Sequence, residues 1–354
     1  MTATLLEHRR KTPDQSPLDE LLSAAPATAG GPDAIVVDGL AKRYPDGTEA
    51  VRGISFSVGT GEVYGILGPN GAGKSTTIGI LGTLVLPTAG RATVAGFDVA
   101  TGARDVRRHV GFAMQEIGID GVATGIEFLV LQGRLHGLSR RDATRRAHLL
   151  LGLVDLEDAA NQRTGEYSGG MKRRIDLASA LIHLPPILFL DEPTEGLDPR
   201  ARAAIWETLE RLNAELRMTI VLSTHYMEEA DRLCGRIGII DRGLIVAEGS
   251  PAELKASIGG QTLSLHYAPD SPAELLSRVR AALLARDDVL AVVATDGHLS
   301  VEVDDAAGVA PELLRVLQHE WAAPEALSIK QPTLEDVYLR STGRGFGEGE
   351  ELAA

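Results

Sequence analysis

Cysteine is nearly absent. The 354 residues hold one, Cys234, which excludes an internal disulfide framework and agrees with a reducing compartment, its plain reading being a small buried thiol. No apolar run approaches the ~20 residues that span a bilayer, so the chain is not expected to form a membrane channel, and a membrane role needs a partner. Positive charge is also in short supply: 35 Lys and Arg stand against 49 Asp and Glu, a formal net charge of −14. That balance argues against broad binding of nucleic acid or an anionic membrane through bulk electrostatics. Nor does an apolar stretch follow Arg9-Arg10, where a secretion or twin-arginine signal requires one; Lys11-Thr12-Pro13-Asp14-Gln15 stands there instead. Residues 1–32 therefore read as a disordered N-terminal extension, with a helical turn at Leu18-Leu22 as its one ordered candidate.

What is present suits a globular chain. Hydrophobic residues make up 44%, enough for one large domain and one small one. The densest information lies in Gly68-Pro69-Asn70-Gly71-Ala72-Gly73-Lys74-Ser75-Thr76, which completes the pattern G-x-x-x-x-G-K-[ST]. Glycines let backbone N–H groups turn inward around phosphate oxygens, and the helix that follows offers its positive end to the same anion. Lys74 is placed to reach the β and γ phosphates, and Ser75 to ligate Mg²⁺. The context supports the pattern, since Val63–Leu67 reads as a buried strand running into the loop and Thr76-Thr77-Ile78 begins helical spacing.

Around this loop the chain is regular. Ala34–Val37 and Ala50–Val58 read as strands about a Pro45-Asp46-Gly47 turn, opening an antiparallel sheet. Tyr44, just before that turn, is either an aromatic platform for an adenine ring or an amphipathic cover for the sheet edge. Arg91–Gly96 reads as a strand and turn, and Val110–Gln115 as a strand emptying into a loop. Residues 120–165 carry helical spacing, with Leu129, Leu131, Leu135, Leu138, Leu149, Leu150, Leu151 and Leu153 supplying apolar faces. A further helix begins at Tyr167–Met171.

Two more strands deliver polar groups. Ile187–Leu190 closes on Asp191-Glu192, a common strand ending that acquires meaning downstream of a phosphate loop: one carboxylate holds Mg²⁺ and the other polarises the attacking water. Asp191 is the metal candidate and Glu192 the general base. Ile220–Thr224 likewise delivers His225, and in open parallel sheets ligands collect at the carboxyl ends of strands.

In order, Gly68 to Thr76, Gln115, Ser168-Gly169-Gly170, Asp191-Glu192, Leu197-Asp198 and His225 resemble the full motif set of an ATP-binding cassette ATPase. Tyr167–Arg174, Thr224–Asp231 and Pro332–Leu339 are similar to the ATPase subunits of daunorubicin-resistance-type exporters. The resemblance implies an α/β fold with a P-loop cassette domain at 33–256, built of a mixed-sheet core, an antiparallel β subdomain and a helical subdomain at about 116–180. A small α+β domain at 257–342 and a flexible tail at 343–354 follow; strands at Leu263–Tyr267, Val289–Val293 and Leu299–Val303 and helices at 271–286 and 311–320 support that reading.

The same resemblance implies ATP and Mg²⁺ as cofactors and a head-to-tail homodimer with ATP between one phosphate loop and the partner's Ser168-Gly169-Gly170. Tyr44 would stack the adenine, and Gly68, Pro69, Asn70, Gly71, Ala72, Gly73, Lys74, Ser75 and Thr76 would hold phosphates and metal. Gln115 would sense the γ-phosphate, standing with Ser75 and Asp191 as a metal-site candidate and with Lys74, Glu192 and His225 as a catalytic one. Asp198 would communicate across the dimer. The signature departs from Leu-Ser-Gly-Gly-Gln by having Tyr167 and Met171 at its ends. Export of a drug or antibiotic through a separate polytopic permease is the implied function, with the chain peripheral at the cytoplasmic face of the membrane and no nucleic-acid partner. The alternatives are a soluble non-transport cassette ATPase and a motor for lipid or polysaccharide export. The single phosphate loop, the single cysteine and the lack of a long heptad run weigh against the soluble class.

Overall fold

The computed structural model describes residues 33–346, apart from 116, 117, 120, 269, 270, 296, 297, 304, 321, 322 and 344. The disordered extension expected at 1–32 and most of the tail expected at 343–354 lie outside the described residues. Two compact units divide the chain, Met1–Ile245 and Val246–Ala354. The boundary read from sequence lies a little further along, at the end of a helix here labelled α8 (Pro251–Ala256).

The first unit opens with β1 (Asp33–Arg43) and β2 (Glu49–Gly59), an antiparallel pair joined through the Pro45-Asp46-Gly47 turn. Asp46 Oδ1 accepts from Thr48 N at 2.9 Å, and Gly47 takes φ +93°, the turn chemistry its residues favour. β4 (Ala89–Val94) pairs with β1 and β5 (Phe97–Asp98) with β4, giving the order β2-β1-β4-β5. Alternation places Ile35 and Val37 in the core and turns Val36 outward.

The second sheet positions the site. Its order is β10 (Leu244–Gly249), β9 (Arg236–Asp241), β3 (Val63–Leu67), β8 (Thr219–Thr224), β7 (Ile187–Asp191), β6 (Val110–Ala113). The pairs from β9 through β6 are all parallel. β7 and β8 are buried at every residue, as unbroken apolar runs must be when both faces of a parallel sheet are covered. Because β8 lies between β3 and β7, the residues that leave those three strands meet at one edge.

Helices connect the strands. α1 (Lys74–Leu81) follows the phosphate loop and α2 (Ala103–His109) precedes β6. The expected helical insertion consists of α3 (Gly125–Leu135), started by a Thr124/Glu127 capping box, α4 (Arg140–Leu153), capped by Ser139, and α5 (Gly169–Ala180), capped by Ser168. Leu129, Leu150, Leu151 and Leu153 are buried there. Leu131 and Leu135 are not: they are 54% and 72% exposed, so part of the leucine pattern faces outward. α6 (Pro199–Leu216) and α7 (Met227–Leu233) flank β8 in sequence. Cys234 is buried and unbridged, and burial pushes its thiol pKa up.

The second unit is an α+β layer. β11 (Gln261–His266), β12 (Ala291–Thr295), β13 (His298–Val303) and β14 (Ala326–Lys330) form an antiparallel sheet in the order β12-β13-β11-β14. α9 (Ala273–Leu284) and α10 (Ala306–Glu320) contribute Val279, Leu283, Leu313 and Leu317 to a core shared with Leu263, Leu265, Leu299 and Val301. α11 (Leu334–Thr342) starts in a Thr333/Asp336 capping box. The strand expected at Val289–Val293 begins two residues later, because Val289 N is spent on Arg286 O in the turn after α9.

Candidate functional site

The phosphate loop is shaped by what cannot fit in it. Gly73 takes φ +104°, and a Cβ there would meet the carbonyl oxygen of Ala50 at 2.2 Å; one on Gly68 would meet that of Ile240 at 2.3 Å. Both positions require glycine on steric grounds. The loop delivers α1 with no side chain capping its first turn, so its orphan N–H groups remain available to an anion.

Lys74 is 4% exposed. Its Nζ donates to the carbonyls of Gly68 at 2.8 Å and Pro69 at 3.1 Å and pairs with Glu192 Oε1 at 3.1 Å. On the other carboxylate oxygen, Oε2, His225 Nδ1 sits 2.9 Å away. Lys74, Glu192 and His225 thus form one continuous chain across the ends of β3, β7 and β8. Beside it runs a second. Ser75 Oγ donates to Asp191 Oδ1 at 3.0 Å, and Ser223 Oγ donates to the same oxygen at 2.5 Å. A hydroxyl and a carboxylate converging next to a phosphate loop are hard oxygen donors of the kind Mg²⁺ takes together with substrate phosphates, so these residues fit the metal the motifs imply. Bound there, Mg²⁺ would neutralise phosphate charge.

Three predicted residues lie at the margin. Tyr44 OH is 3.4 Å from Thr76 Oγ1, and Lys42 Nζ stands 5.1 Å from the centre of its ring. Gln115 Nε2 donates to Glu195 Oε2 at 2.7 Å, which places Gln115 against the loop after Glu192 rather than on Ser75 or Asp191. Asp198 Oδ1 accepts from Arg200 N and Ala201 N, both at 3.0 Å, and so caps α6.

Ser168, Gly169 and Gly170 belong to a different cleft. With Asp155, Arg174, Gly196, Leu197 and Asp198 they line a space of about 650 Å³. Ser168 Oγ accepts from Met171 N at 3.3 Å, and Gly169 and Gly170 start α5. Tyr167, the departure at the front of the signature, is buried and donates to Ala159 O at 2.7 Å; burial also raises its pKa. A Cβ on Gly125 would meet the Tyr167 hydroxyl oxygen at 2.2 Å, so a glycine and the tyrosine are fitted to each other.

Sequence reasoning passed over Ser223, Arg173, Thr194 and Glu229. Ser223 was visible only as the polar break in an apolar strand. Arg173 sits inside Lys172-Arg173-Arg174, which reads as surface charge, yet it is 5% exposed. Glu229 is fully buried and accepts from Thr194 Oγ1 at 2.7 Å and Trp206 Nε1 at 2.9 Å, tying α7, just beyond His225, to the loop beyond Glu192.

Known proteins carry the same arrangement of sequence. The profile of the ABC transporter family matches residues 51–195, and that of the DrrA1-3-like ATP-binding protein C-terminal domain matches 249–342. The chain is 42% identical over 310 residues to the daunorubicin resistance ATP-binding protein DrrA2 of Streptomyces coeruleorubidus, covering 88% of this chain and 95% of that one. It is also 42% identical to the Nod factor export ATP-binding protein I of Burkholderia orbicola, with 86% and 95% covered. Among solved structures, cbiO1 of Clostridium perfringens, part of the ABC transporter complex cbiONQ, aligns with a TM-score of 0.59 at 28% identity, over 64% of this chain and 92% of that one. The dimeric post-hydrolysis cassette MJ0796, bound to ADP and Pi, aligns with a TM-score of 0.57 at 28% identity, over 61% and 98%.

Proposed function

The chain belongs to the ABC transporter ATP-binding family, and from that membership we propose that it hydrolyses ATP as the motor subunit of an exporter whose path lies in a separate membrane protein. The observation that carries this reading is the unbroken Lys74–Glu192–His225 chain with Ser75–Asp191–Ser223 beside it. Lys74 exchanges its carbonyl and carboxylate partners for phosphate oxygens when ATP enters. That exchange frees Glu192, still oriented by His225, to take a proton from the attacking water. Ser75 and Asp191 hold Mg²⁺, Tyr44 stacks the adenine, and Gln115 reports the phosphate state to the helical insertion. Such positioning and charge stabilisation is what phosphoryl transfer asks of a protein.

Ser168, Gly169 and Gly170 meet the ATP of a second copy in a head-to-tail dimer. Their separation from the Lys74 cluster into a cleft of their own supports this, since one protomer then presents two half-sites. Docking to the permease uses the segment from Gln115 to Arg134 and its surroundings. Met114, Val122, Leu131 and Leu135, exposed by 51%, 73%, 54% and 72%, supply apolar area there of the sort that marks an interface. Among the described residues no helix is long and apolar enough to cross a membrane; we infer that the chain works at the cytoplasmic face through its partner. The cargo is inferred to be an amphipathic antibiotic; because a Nod factor exporter subunit is as similar as a drug-resistance one, cargo choice belongs to the permease.

The test is Glu192→Gln. It should bind Mg-ATP nearly as the wild type does, lose at least ~10²-fold in turnover, and accumulate as ATP-bound dimers on size exclusion. Lys74→Ala should weaken both binding and turnover, since a phosphate-bound charge is lost in ground and transition states. Normal hydrolysis by Glu192→Gln would remove Glu192 from the mechanism.

A further inference from the structure

Glu192 sits in a backbone conformation that costs energy for a residue with a side chain. Its φ is +48°, a left-handed backbone that a residue with a Cβ keeps only where its surroundings impose it. The peptide joining Asp191 to Glu192 is gripped at both ends. On one side Glu192 N–H donates to Ser223 Oγ at 3.0 Å; on the other, the Asp191 carbonyl accepts from Arg173 Nη2 at 2.8 Å.

Arg173 does more than this. Its Nε donates to Pro193 O at 2.7 Å, its Nη1 donates to Met114 O, and Asp176 Oδ2 stands 3.5 Å from Nη1. A single buried guanidinium therefore takes the carbonyls on both sides of Glu192 and the carbonyl just before Gln115. Met114 and Pro193 lie just beyond the ends of β6 and β7, and Asp191 is the last residue of β7; a planar fork of donors suits several such acceptors as an ammonium does not. Burial lowers the Arg173 pKa, the cost of holding a charge there. Arg173 also lies on α5, five residues after Ser168, so the helix that starts at the signature reaches directly to the catalytic strand end.

We propose that Arg173 is the positioning residue for Glu192, fixing the left-handed Asp191-Glu192-Pro193 segment so that the carboxylate faces the attacking water. This rests on Glu192 being the general base. Arg173 hydrogen-bonds protein carbonyls and pairs with Asp176, and it is not assigned contact with ATP.

The experiment uses Arg173→Gln and Arg173→Lys in the full chain, with Mg-ATP binding and thermal melting as checks on folding. Arg173→Gln should lower kcat by roughly 10²-fold, the scale of a small misplacement of a catalytic group, and leave the Mg-ATP dissociation constant near the wild-type value. Arg173→Lys, which keeps the charge and part of the donor set, should restore part of kcat. In a Glu192→Gln background, Arg173→Gln should add no further loss, because both act on one step. Either folded variant turning over within about twofold of wild type, a parallel loss of ATP binding, or a full additional loss on top of Glu192→Gln overturns the proposal. So does failure of both variants to fold, which would make the guanidinium a stability element alone. Failure of the underlying reading looks different: Glu192→Gln by itself would then hydrolyse normally, whereas failure of this proposal leaves Glu192→Gln inactive beside active Arg173 variants.

Discussion

Asp176, the carboxylate beside the buried guanidinium, is itself taken out of water. Loss of water around the carboxylate raises its pKa to about 6, with Arg173 pulling the other way, and among the described residues its Oδ2 accepts no hydrogen bond. A raised carboxylate pKa means the fold prefers the protonated form, so this contribution to stability is complete below the ordinary value near 3.8 and is lost as pH rises through about 6. Above that range the native state carries the full cost of ionising this group in place. Asp176→Asn should therefore gain melting temperature relative to wild type at pH 8 and lose that advantage at pH 4; a difference in Tm that does not change with pH would refute the assignment. At this scale the sequence was legible wherever chemistry demands a residue type at a fixed spacing, as in Gly68 to Thr76, Asp191-Glu192 and His225. It was silent on Arg173, Ser223 and Glu229, whose roles depend on burial and on carbonyls contributed by distant segments, which no local pattern encodes.

At the scale of elements, long apolar runs were the most readable. The strand at Val63–Leu67 coincides with its sequence reading, and the runs into Asp191 and Thr224 are fully buried strands, because a strand covered on both faces has no other way to be written. Strands of the second unit were less plain. β14 (Ala326–Lys330) is an edge strand with mixed exposure and escaped notice, and α10 (Ala306–Glu320) runs through Pro311, which reads as a start because proline belongs in a first turn. The leucines of the insertion carried a different ambiguity: period alone does not say whether an apolar face meets the core or a partner. Leu131 and Leu135 answer it by being exposed on α3. Replacing both with glutamate should leave folding within about 0.5 kcal/mol per site, as for ordinary surface substitutions, and leave the ATPase activity of the isolated chain unchanged. The pair should instead abolish co-purification with the cognate permease and the drug resistance conferred by co-expression. Full co-purification of the double variant would move docking elsewhere.

For the whole molecule, the proposed head-to-tail dimer rests on one protomer presenting the two residue sets in two places. Lys74, Ser75, Asp191, Glu192 and His225 meet at the sheet edge, while Ser168, Gly169 and Gly170 border a cleft lined by neither Lys74 nor Glu192. A net charge of −14 makes self-association unfavourable at long range, so the proposed dimer needs a local drive, which ATP placed between a phosphate loop and a helix N-terminus would supply. Ser168→Arg should then spare ATP binding by the monomer but block closure, and Lys74→Ala should fail at its own phosphate loop. Neither alone should turn over. Mixed in equal amounts, they form heterodimers in which one site combines the intact loop of the first chain with the intact signature of the second. Random pairing makes half the dimers mixed, each with one working site, so roughly a quarter of wild-type ATPase should return if the sites act independently. The recovery should follow the square of total protein concentration when dilute, disappear when the Ser168→Arg chain, which supplies both Lys74 and Glu192 to the surviving site, also carries Glu192→Gln, and persist when only the Lys74→Ala chain carries it. Undiminished turnover by Ser168→Arg alone would mean that the signature does not face ATP, and absence of recovery in the mixture would mean that the two halves are not joined head to tail.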